Sequence, residues 1–263
     1  MTITQMTVLG FFLIFAGTTL GSALVYFTKN KISPKVNTLL LGFAGGVMIA
    51  ASVWSLIIPS LNQSEAQGGW GKWFFVPTVV AFIVGGLFLV LLDKVVPHMH
   101  VSGEEEGPPS TSTHKSIKLF LAVTLHNVPE GLAVGFAFGA AQGNTAATLA
   151  ALGLAIGMAF QNFPEGAAVT LPLKQATGSK NKAFLLGTAS GAVEPIAAVI
   201  GYFLSTVLLS LQPWCLAFAA GAMIFVVAED LIPDAKLDGH SHLGTWGLMI
   251  GFVVMMILDV VLG

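Results

Sequence analysis

Long apolar stretches recur along the whole chain, and they constrain the fold more than any other feature of the sequence. Each is close to the roughly 20 mostly apolar residues that an α-helix needs to cross the hydrocarbon core of a bilayer. They are too long and too continuous for the tilted strands of a membrane β-barrel. The predicted membrane-spanning helices, eight in number, lie at about residues 5–28, 37–60, 73–96, 117–141, 146–172, 182–210, 213–233 and 243–262.

The composition agrees with an all-α, polytopic membrane protein. Only 9% of the 263 residues are charged, against about 25% in an average soluble domain, so a soluble fold could not cover its surface with polar groups. Eight spans leave no room for a separate soluble domain, and residues 1–263 are predicted to form a single transmembrane domain. No basic stripe indicates nucleic acid, and no nucleotide-binding motif indicates ATP.

The lysines indicate how the spans are oriented. The chain has no arginine, and ten of its eleven lysines, all except Lys72, fall on one face of the predicted bundle. Cytoplasmic loops are enriched in lysine and arginine. We therefore predict that this face is cytoplasmic and that both termini lie outside, in a protein of the cell (inner) membrane.

The longest predicted connection, residues 98–116, combines histidine with glutamate. His98 and His100 lie close to three consecutive glutamates and to a segment rich in proline, serine and threonine. Such a composition is typical of disorder, which predicts a flexible cytoplasmic loop. The loop is either a solvated linker or a weak metal-binding segment, because imidazole and carboxylate together suit divalent transition metals.

Two copies of a polar motif interrupt the fourth and fifth spans. "HNVPEG" begins at His126, and "QNFPEG" begins at Gln161. Helix positions three and four apart lie on the same side, so each copy groups its glutamate with the histidine or glutamine and with the asparagine. Because these two spans run in opposite directions, the matching motifs predict an inverted repeat, with a site at the membrane midplane as in secondary transporters.

Three glutamates are predicted near the middle of spans, where a charge costs about 2.5–3.5 kcal/mol. They are Glu130 and Glu165 in the two motifs and Glu194 in the sixth span, and no lysine or arginine is available there. Either they are protonated or they hold a cation. Pro129 and Pro164 each remove a backbone hydrogen bond, and the freed carbonyl groups also need partners. The duplication of the whole set favours a cation site.

Other side chains are candidates for a pathway through the bundle. Glu229 and Asp230, near the cytoplasmic end of the seventh span, are either solvated or form an exit relay. Met48 and Ser55 in the second span can line a pathway, although packing is the commoner role of a buried methionine. Asp259, close to the end of the last span, is predicted to be solvated.

With these motifs the sequence resembles the ZIP (Zrt-, Irt-like) divalent metal transporters, and within them the bacterial GufA-like branch. The resemblance covers the whole chain, and its specific part is "HNVPEG", "QNFPEG" and "VEP" at residues 193–195. It implies import of divalent metal ions toward the cytoplasm by alternating access, commonly as a homodimer. Zinc is the first expected substrate, followed by iron, manganese, cobalt and cadmium. The resemblance implies no enzymatic activity and no prosthetic group.

The resemblance also implies a binuclear metal centre on the fourth, fifth and sixth spans. One position would use His126, Glu130, Gln161 and Glu165, and the other Asn127, Asn162 and Glu194, with Glu130 and Glu165 bridging. Met48 and Ser55 would be secondary pathway residues. Some relatives have aspartate where Asn162 stands, so the second position carries one negative charge fewer in this chain.

Two functions of other classes use the same residues. A membrane di-metal oxidase or hydrolase is one, but di-iron enzymes of the bundle type present Glu-x-x-His motifs, and this sequence has none. A proton-translocating or receptor protein is the other, with the glutamates as proton carriers and no metal binding at neutral pH.

Overall fold

The described part of the chain consists mainly of long helices. The structure is a computed structural model, and it describes residues 1–27, 33–95, 98–99, 105–106, 115–141, 143–235 and 242–262. Within these ranges the helical segments are α1 (Ile3–Phe27), α2 (Pro34–Gln67), α3 (Gly71–Val95), α4 (Lys115–Ala140), α5 (Thr145–Thr177), α6 (Lys180–Val207), α7 (Leu209–Asp234) and α8 (Leu243–Leu262). Strands β1 (His98–Met99) and β2 (Glu105–Glu106) form a short antiparallel pair.

Seven of these segments, all except α4, are long and apolar enough to cross a membrane. Segment α4 has 26 residues, about 39 Å at 1.5 Å per residue, but it carries His126, Asn127 and Glu130 near its middle. The prediction of an all-α polytopic membrane protein is confirmed. The eighth span and the placement of the termini outside stay predictions.

Helices α2, α5 and α7 are the most buried of these seven spans, whereas α3 and α8 turn much of their surface outward. The outward side chains are apolar, among them Ile83, Leu87 and Ile257. An apolar outer surface is what a lipid environment requires of a helix bundle. Together with α4, the buried helices therefore form the interior of the bundle, and α3 and α8 flank it.

Four pairs of helices lie side by side along their lengths: α1 with α5, α2 with α8, α3 with α7, and α4 with the second half of α6. The pairs are related by a symmetry that exchanges α1 with α6, α2 with α7, α3 with α8 and α4 with α5. Under this exchange the pair α1–α5 becomes α6–α4, and the pair α2–α8 becomes α7–α3. An inverted repeat produces this pairing, and the two matching motifs fall on the exchanged pair α4 and α5.

Glycines bring the motif segments into close contact with neighbouring helices, as small residues commonly do in membrane bundles. A Cβ atom on Gly21 of α1 would lie 1.9 Å from the carbonyl oxygen of Phe163 in α5. A Cβ atom on Gly131 of α4 would lie 2.3 Å from the carbonyl oxygen of Glu194 in α6. The backbone that carries the motif glutamates is therefore held directly against α1 and α6.

The helical geometry changes at equivalent places in α2 and α7. Segment α2 contains a π-helical turn at Ser52–Ile57, shortly before Pro59, and α7 contains one at Val227–Leu231, shortly before Pro233. Proline removes a backbone donor, and π turns are frequent at functional sites. Since α2 and α7 exchange in the repeat, the two π turns are equivalent features of its halves.

Segment α6 consists of two helices, Lys180–Gly191 and Val193–Val207, which meet at Ala192. Glu194 lies near the middle of the span, as predicted, but the span is not continuous there. Pro195 cannot donate a backbone hydrogen bond, and glycine is a weak helix former, so the first helix ends at Gly191. Glu194 consequently occupies the first turn of the second helix.

Candidate metal centre

The predicted ligands on α4, α5 and α6 lie in the interior of the bundle. His126 is the most accessible, with 13% of its side chain exposed. The others are at most 8% exposed, and they are Asn127, Glu130, Gln161, Asn162, Glu165 and Glu194. Burial of polar side chains is unfavourable unless they find partners, so the partners of each one determine what the centre can do.

The three glutamates face one another across the helices. Glu130 is repelled by both Glu165 and Glu194, and Glu165 also repels Glu194. The sequence has no lysine or arginine within two helical turns of any of them. The centre therefore concentrates negative charge, and His126 is the basic side chain that its motifs place beside the glutamates.

Glu130 is the least satisfied of these side chains. The Gln161 side chain lies beside its carboxylate, but the Gln161 amide nitrogen donates to Asn162 Oδ1 instead. Both oxygens of Glu130 and the Gln161 oxygen Oε1 are buried, and no described residue donates a well-formed hydrogen bond to them. All three atoms are acceptors, which a cation can satisfy.

As they stand, the side chains do not form a closed metal cage. Among the described residues, no group of three or more His, Cys, Asp or Glu side chains is close enough to hold a metal ion. The nearest neighbours of Glu130 include an amide, and amide oxygens are suitable ligands for divalent ions. A bound ion would therefore combine carboxylates with Gln161.

Glu194, in contrast, is fully satisfied by hydrogen bonds. Thr18 Oγ1 of α1 donates to Glu194 Oε1 at 2.5 Å, and Asn162 Nδ2 of α5 donates to Glu194 Oε2 at 2.5 Å. Asn162 Nδ2 also lies 3.3 Å from the carbonyl oxygen of Ile14. Hydrogen bonds to a charged acceptor are shorter and stronger than neutral ones, so this network joins α1, α5 and α6.

Asn127, the counterpart of Asn162 in α4, has a different partner. Its Nδ2 atom donates to the carbonyl oxygen of Ser190 at 3.0 Å. Ser190 lies just before the break in α6. The amide nitrogen of Asn127 thus holds α4 to the end of the first α6 helix, which separates its role from that of Asn162.

Helix α7 adds a carboxylate on the other side of the centre. His126 Nε2 lies 3.2 Å from Asp230 Oδ2, and Glu165 interacts electrostatically with both residues. Asp230 is buried in the π turn of α7, whereas the neighbouring Glu229 is exposed. Of the two predicted relay residues, the structure brings Asp230 to the centre and leaves Glu229 outside it.

A cavity of about 300 Å³ lies at the end of the bundle where α4 connects to α5. Ser55 and Asp259 line it together with Trp54 and Gln63, and Ser55 Oγ donates to Asp259 Oδ1 at 2.5 Å. Asp259 is thus hydrogen-bonded to α2 and only partly exposed, so the prediction of a solvated residue is wrong. Met48, two turns from Ser55, is buried in the core.

The histidine loop lies largely outside the described residues. His98 belongs to β1, where it pairs with Glu106 of β2, and His100 is among the residues that the structure does not describe. The interpretation of residues 98–116 as a metal-binding loop therefore stays a hypothesis.

Thr18 and Asp259 belong to these networks, although no motif in the sequence predicts a site for either residue. Thr18 lies in an apolar helix without a neighbouring motif, and a threonine there usually bonds its own backbone. Asp259 is distant in sequence from Ser55, and only the pairing of α2 with α8 brings the two together.

Comparison with known proteins identifies the family. The family model described as "ZIP Zinc transporter" matches residues 98–259. The zinc transporter ZIP11 of Homo sapiens is 36% identical, with 97% of this chain and 96% of the relative aligned. The zinc transporter GufA of Myxococcus xanthus is 36% identical over 94% of this chain and 96% of its own length.

The zinc transporter ZIPB of Bordetella bronchiseptica is 37% identical, over 95% of this chain and 79% of its own length. All three relatives carry the name of a transporter and none that of an enzyme. The aligned regions cover nearly the whole chain, and the family model spans the segment with both motifs. The chain therefore belongs to the ZIP family of zinc transporters.

Proposed function

We propose that this protein imports divalent transition-metal ions, zinc first among them, through a centre between α4, α5 and α6. Membership of a family of metal transporters supports the activity. One observation carries the location: the carboxylate of Glu130 and the oxygen Oε1 of Gln161 are buried acceptors that receive no well-formed hydrogen bond from the described residues. A divalent ion would satisfy both and would offset the repulsion among the glutamates.

The ligand types agree with such a substrate. His126, Glu130, Gln161 and Glu165 offer imidazole, amide and carboxylate groups, which suit Zn²⁺ and also Fe²⁺, Mn²⁺, Co²⁺ and Cd²⁺. These ligands bind in their deprotonated forms, so metal binding releases protons and weakens in acid. In the second position of the binuclear centre that the resemblance implies, Asn162 and Glu194 already hydrogen-bond to each other.

The order of polar residues supports a path across the bundle. Ser55 and Asp259 line the cavity at the end predicted to face outside, and Glu130 and Gln161 lie deeper along α4 and α5. His126 and Glu165 are one turn further toward the predicted cytoplasmic face, where His126 meets Asp230. Alternating access would open the centre first to the cavity and then past Asp230.

We further propose that the protein works in the cell membrane as a homodimer with both termini outside. The distribution of lysines supports the orientation, since ten of eleven lie on one face of the predicted bundle. The apolar surface of α3 and α8 supports contact with lipid. Transport would need no ATP, in keeping with the absence of a nucleotide-binding motif in the sequence.

Zinc flux into liposomes tests the function. The purified protein is reconstituted, and Zn²⁺ or Cd²⁺ uptake is followed for the wild type, Glu130→Ala and Glu165→Ala. Glu65→Ala, at an exposed position of α2, is the matched control. We expect flux in the wild type and the control and its loss in the two motif variants. Equal flux in all four proteins would refute the proposed metal centre. Proton uptake without metal binding would indicate the proton-translocating alternative.

A further inference from the structure

We propose that hydrogen bonds replace the second metal ion of the centre in this chain. Thr18, Glu194 and Asn162 form a fixed relay that orients Gln161 toward Glu130, and the centre binds one ion. In this role they are positioning residues and not ligands. The inference rests on the proposed function, because it concerns the same centre.

The first step is the environment of Glu194. Its side chain is completely buried, and each carboxylate oxygen accepts a hydrogen bond of 2.5 Å, one from Thr18 and one from Asn162. An ion bound to Glu194 would have to displace these two donors. Since charge-assisted hydrogen bonds are among the strongest in a protein interior, the relay competes directly with a metal ion at this position.

The second step fixes the orientation of both amides. Asn162 Nδ2 faces Glu194 Oε2 and the carbonyl oxygen of Ile14. Both are acceptors, so a flipped amide would place an oxygen against two oxygens. Asn162 Oδ1 must therefore point to Gln161, and the Gln161 amide nitrogen donates to it. The opposite orientation of Gln161 would again set oxygen against oxygen.

The orientation of Gln161 in turn determines which atom it offers to the metal position beside Glu130. Because Asn162 accepts from the Gln161 nitrogen, the Gln161 oxygen Oε1 takes no part in the relay, and it is buried without a hydrogen bond among the described residues. It accompanies the two unsatisfied oxygens of Glu130. The relay thus ends at a side chain that lies beside Glu130 and keeps one acceptor oxygen available for an ion, as the outer partners of metal ligands commonly do.

The residue at 162 decides between one ion and two. An aspartate there would replace the Nδ2 donor by an oxygen facing Glu194 and the Ile14 carbonyl, and a cation would then be the natural partner. Asparagine supplies the donor itself. The side chain of Asn162 is in this respect a substitute for the second ion.

The experiment counts the ions in the centre. Zn²⁺ bound per purified protein is measured by calorimetric titration and elemental analysis, and the value for the Glu130→Gln, Glu165→Gln double variant is subtracted. The subtraction removes zinc bound by histidines elsewhere in the chain. Size-exclusion elution and metal-free melting confirm that each variant is folded.

After subtraction of the value for the double variant, we expect a difference of one Zn²⁺ ion per protein for the wild type and one for Glu194→Gln. Glutamine at 194 can accept from Asn162 and donate to the Thr18 hydroxyl, which is itself an acceptor. Asn162→Asp is expected to raise the difference to two. Asn144→Asp, which adds the same charge at an exposed N-cap, should leave it at one. If Asn162→Asp does not fold, Glu194→Gln decides the matter.

A wild-type difference of two ions that falls to one in Glu194→Gln would overturn the inference and leave the proposed function intact. A difference of zero would overturn the centre itself and the inference with it. The two failures are therefore distinguishable in a single data set.

Substitution of Thr18 tests the positioning role. Thr18→Val keeps the shape of the side chain and removes the donor to Glu194, so the Zn²⁺ affinity of the centre should fall by about tenfold while its stoichiometry remains one. Thr18→Ser should restore the affinity. Equal affinity in both variants would show that the hydroxyl only packs α1 against α6, and the relay would be refuted.

Discussion

Glu130 and Glu194 are the same residue type at nearly the same burial, yet their surroundings give them different roles. Glu194 receives one donor on each oxygen, from Thr18 and Asn162. Glu130 receives no well-formed hydrogen bond from the described residues and lies beside the Gln161 side chain, whose oxygen Oε1 also lacks a donor. Because an unsatisfied buried charge is costly, Glu130 is the carboxylate that a cation would stabilise most.

The first prediction concerns Glu130. Glu130→Gln should leave the metal-free melting temperature unchanged or higher, because it replaces an unsatisfied buried carboxylate by a neutral amide with one acceptor oxygen fewer. The same variant should lose the stabilisation by zinc, which amounts to about 2.7 kcal/mol at a concentration of 100 Kd for one site. Thermal melts with and without Zn²⁺ measure both effects, and Glu65→Gln at an exposed site is the control. A zinc-induced shift equal to the wild type's would exclude Glu130 as a ligand.

The second prediction uses two adjacent carboxylates of α7. Asp230→Asn removes the charge that faces His126 and should lower zinc transport by about 10–100-fold, the scale for a partner that orients a metal-binding histidine. Glu229→Gln changes an exposed neighbour and should have little effect. Initial rates in liposomes compare the two. Equal rates would mean that the contact between His126 and Asp230 has no part in transport.

At the scale of elements, the two motif helices are fixed by their neighbours. Gly21 of α1 contacts the backbone of Phe163, and Gly131 of α4 contacts the backbone of Glu194. These contacts hold α5 against α1 and α4 against α6 at the level of the glutamates. Helices α2 and α7 instead carry π turns, at Ser52–Ile57 and Val227–Leu231, where the backbone is less regular.

The third prediction tests this packing. Gly21→Ala would place a Cβ atom 1.9 Å from the Phe163 carbonyl oxygen, so it should lower the free energy of unfolding by about 1–3 kcal/mol, as overpacking does. Gly86→Ala of α3 is the matched control, since its Cβ atom would lie 3.8 Å from the nearest atom outside its own helix. Unfolding in detergent measures both. If the two variants were equally stable, the close contact of α1 with α5 would be in doubt.

At the scale of the whole molecule, polar side chains mark a route through an otherwise apolar bundle. The cavity beside Ser55 and Asp259 lies at one end, and the contact between His126 and Asp230 lies beyond the glutamates. The pairing of α2 with α8 forms the first of these sites, and the proximity of α7 to α4 and α5 forms the second. Each therefore depends on contacts between helices that are distant in sequence.

The fourth prediction concerns the outer end of this route. Asp259→Asn removes the negative charge in the cavity and should raise the zinc concentration needed for half-maximal flux, because a charged cleft concentrates ions of opposite sign. The maximal rate and the zinc content of the centre should stay near the wild-type values. Asp93→Asn, in α3 away from this cavity, is the control. A concentration dependence identical to the wild type's would exclude Asp259 from the uptake route.

How far the sequence predicts the molecule depends on the range of the interactions. Apolar length predicts the spans, and the spacing of Glu130 and Glu165 in matching motifs predicts an inverted repeat, because both are local properties. The bond from Thr18 to Glu194 and that from Ser55 to Asp259 depend on which helices pack together, and no local pattern contains that information. Apolar length alone does not predict the break at Ala192, because the apolar stretch continues through it.

The location of bound metal is the most direct test of the central claim, that the unsatisfied acceptors of Glu130 and Gln161 are completed by an ion. Crystals of the wild-type protein grown with Cd²⁺ or Zn²⁺ would reveal the ion by anomalous scattering. We predict a peak between α4 and α5, with Zn–oxygen distances of about 2.0–2.2 Å to Glu130, Glu165 and Gln161. Metal found only at histidines outside the bundle, with the same carboxylates unliganded at saturating zinc, would contradict the account.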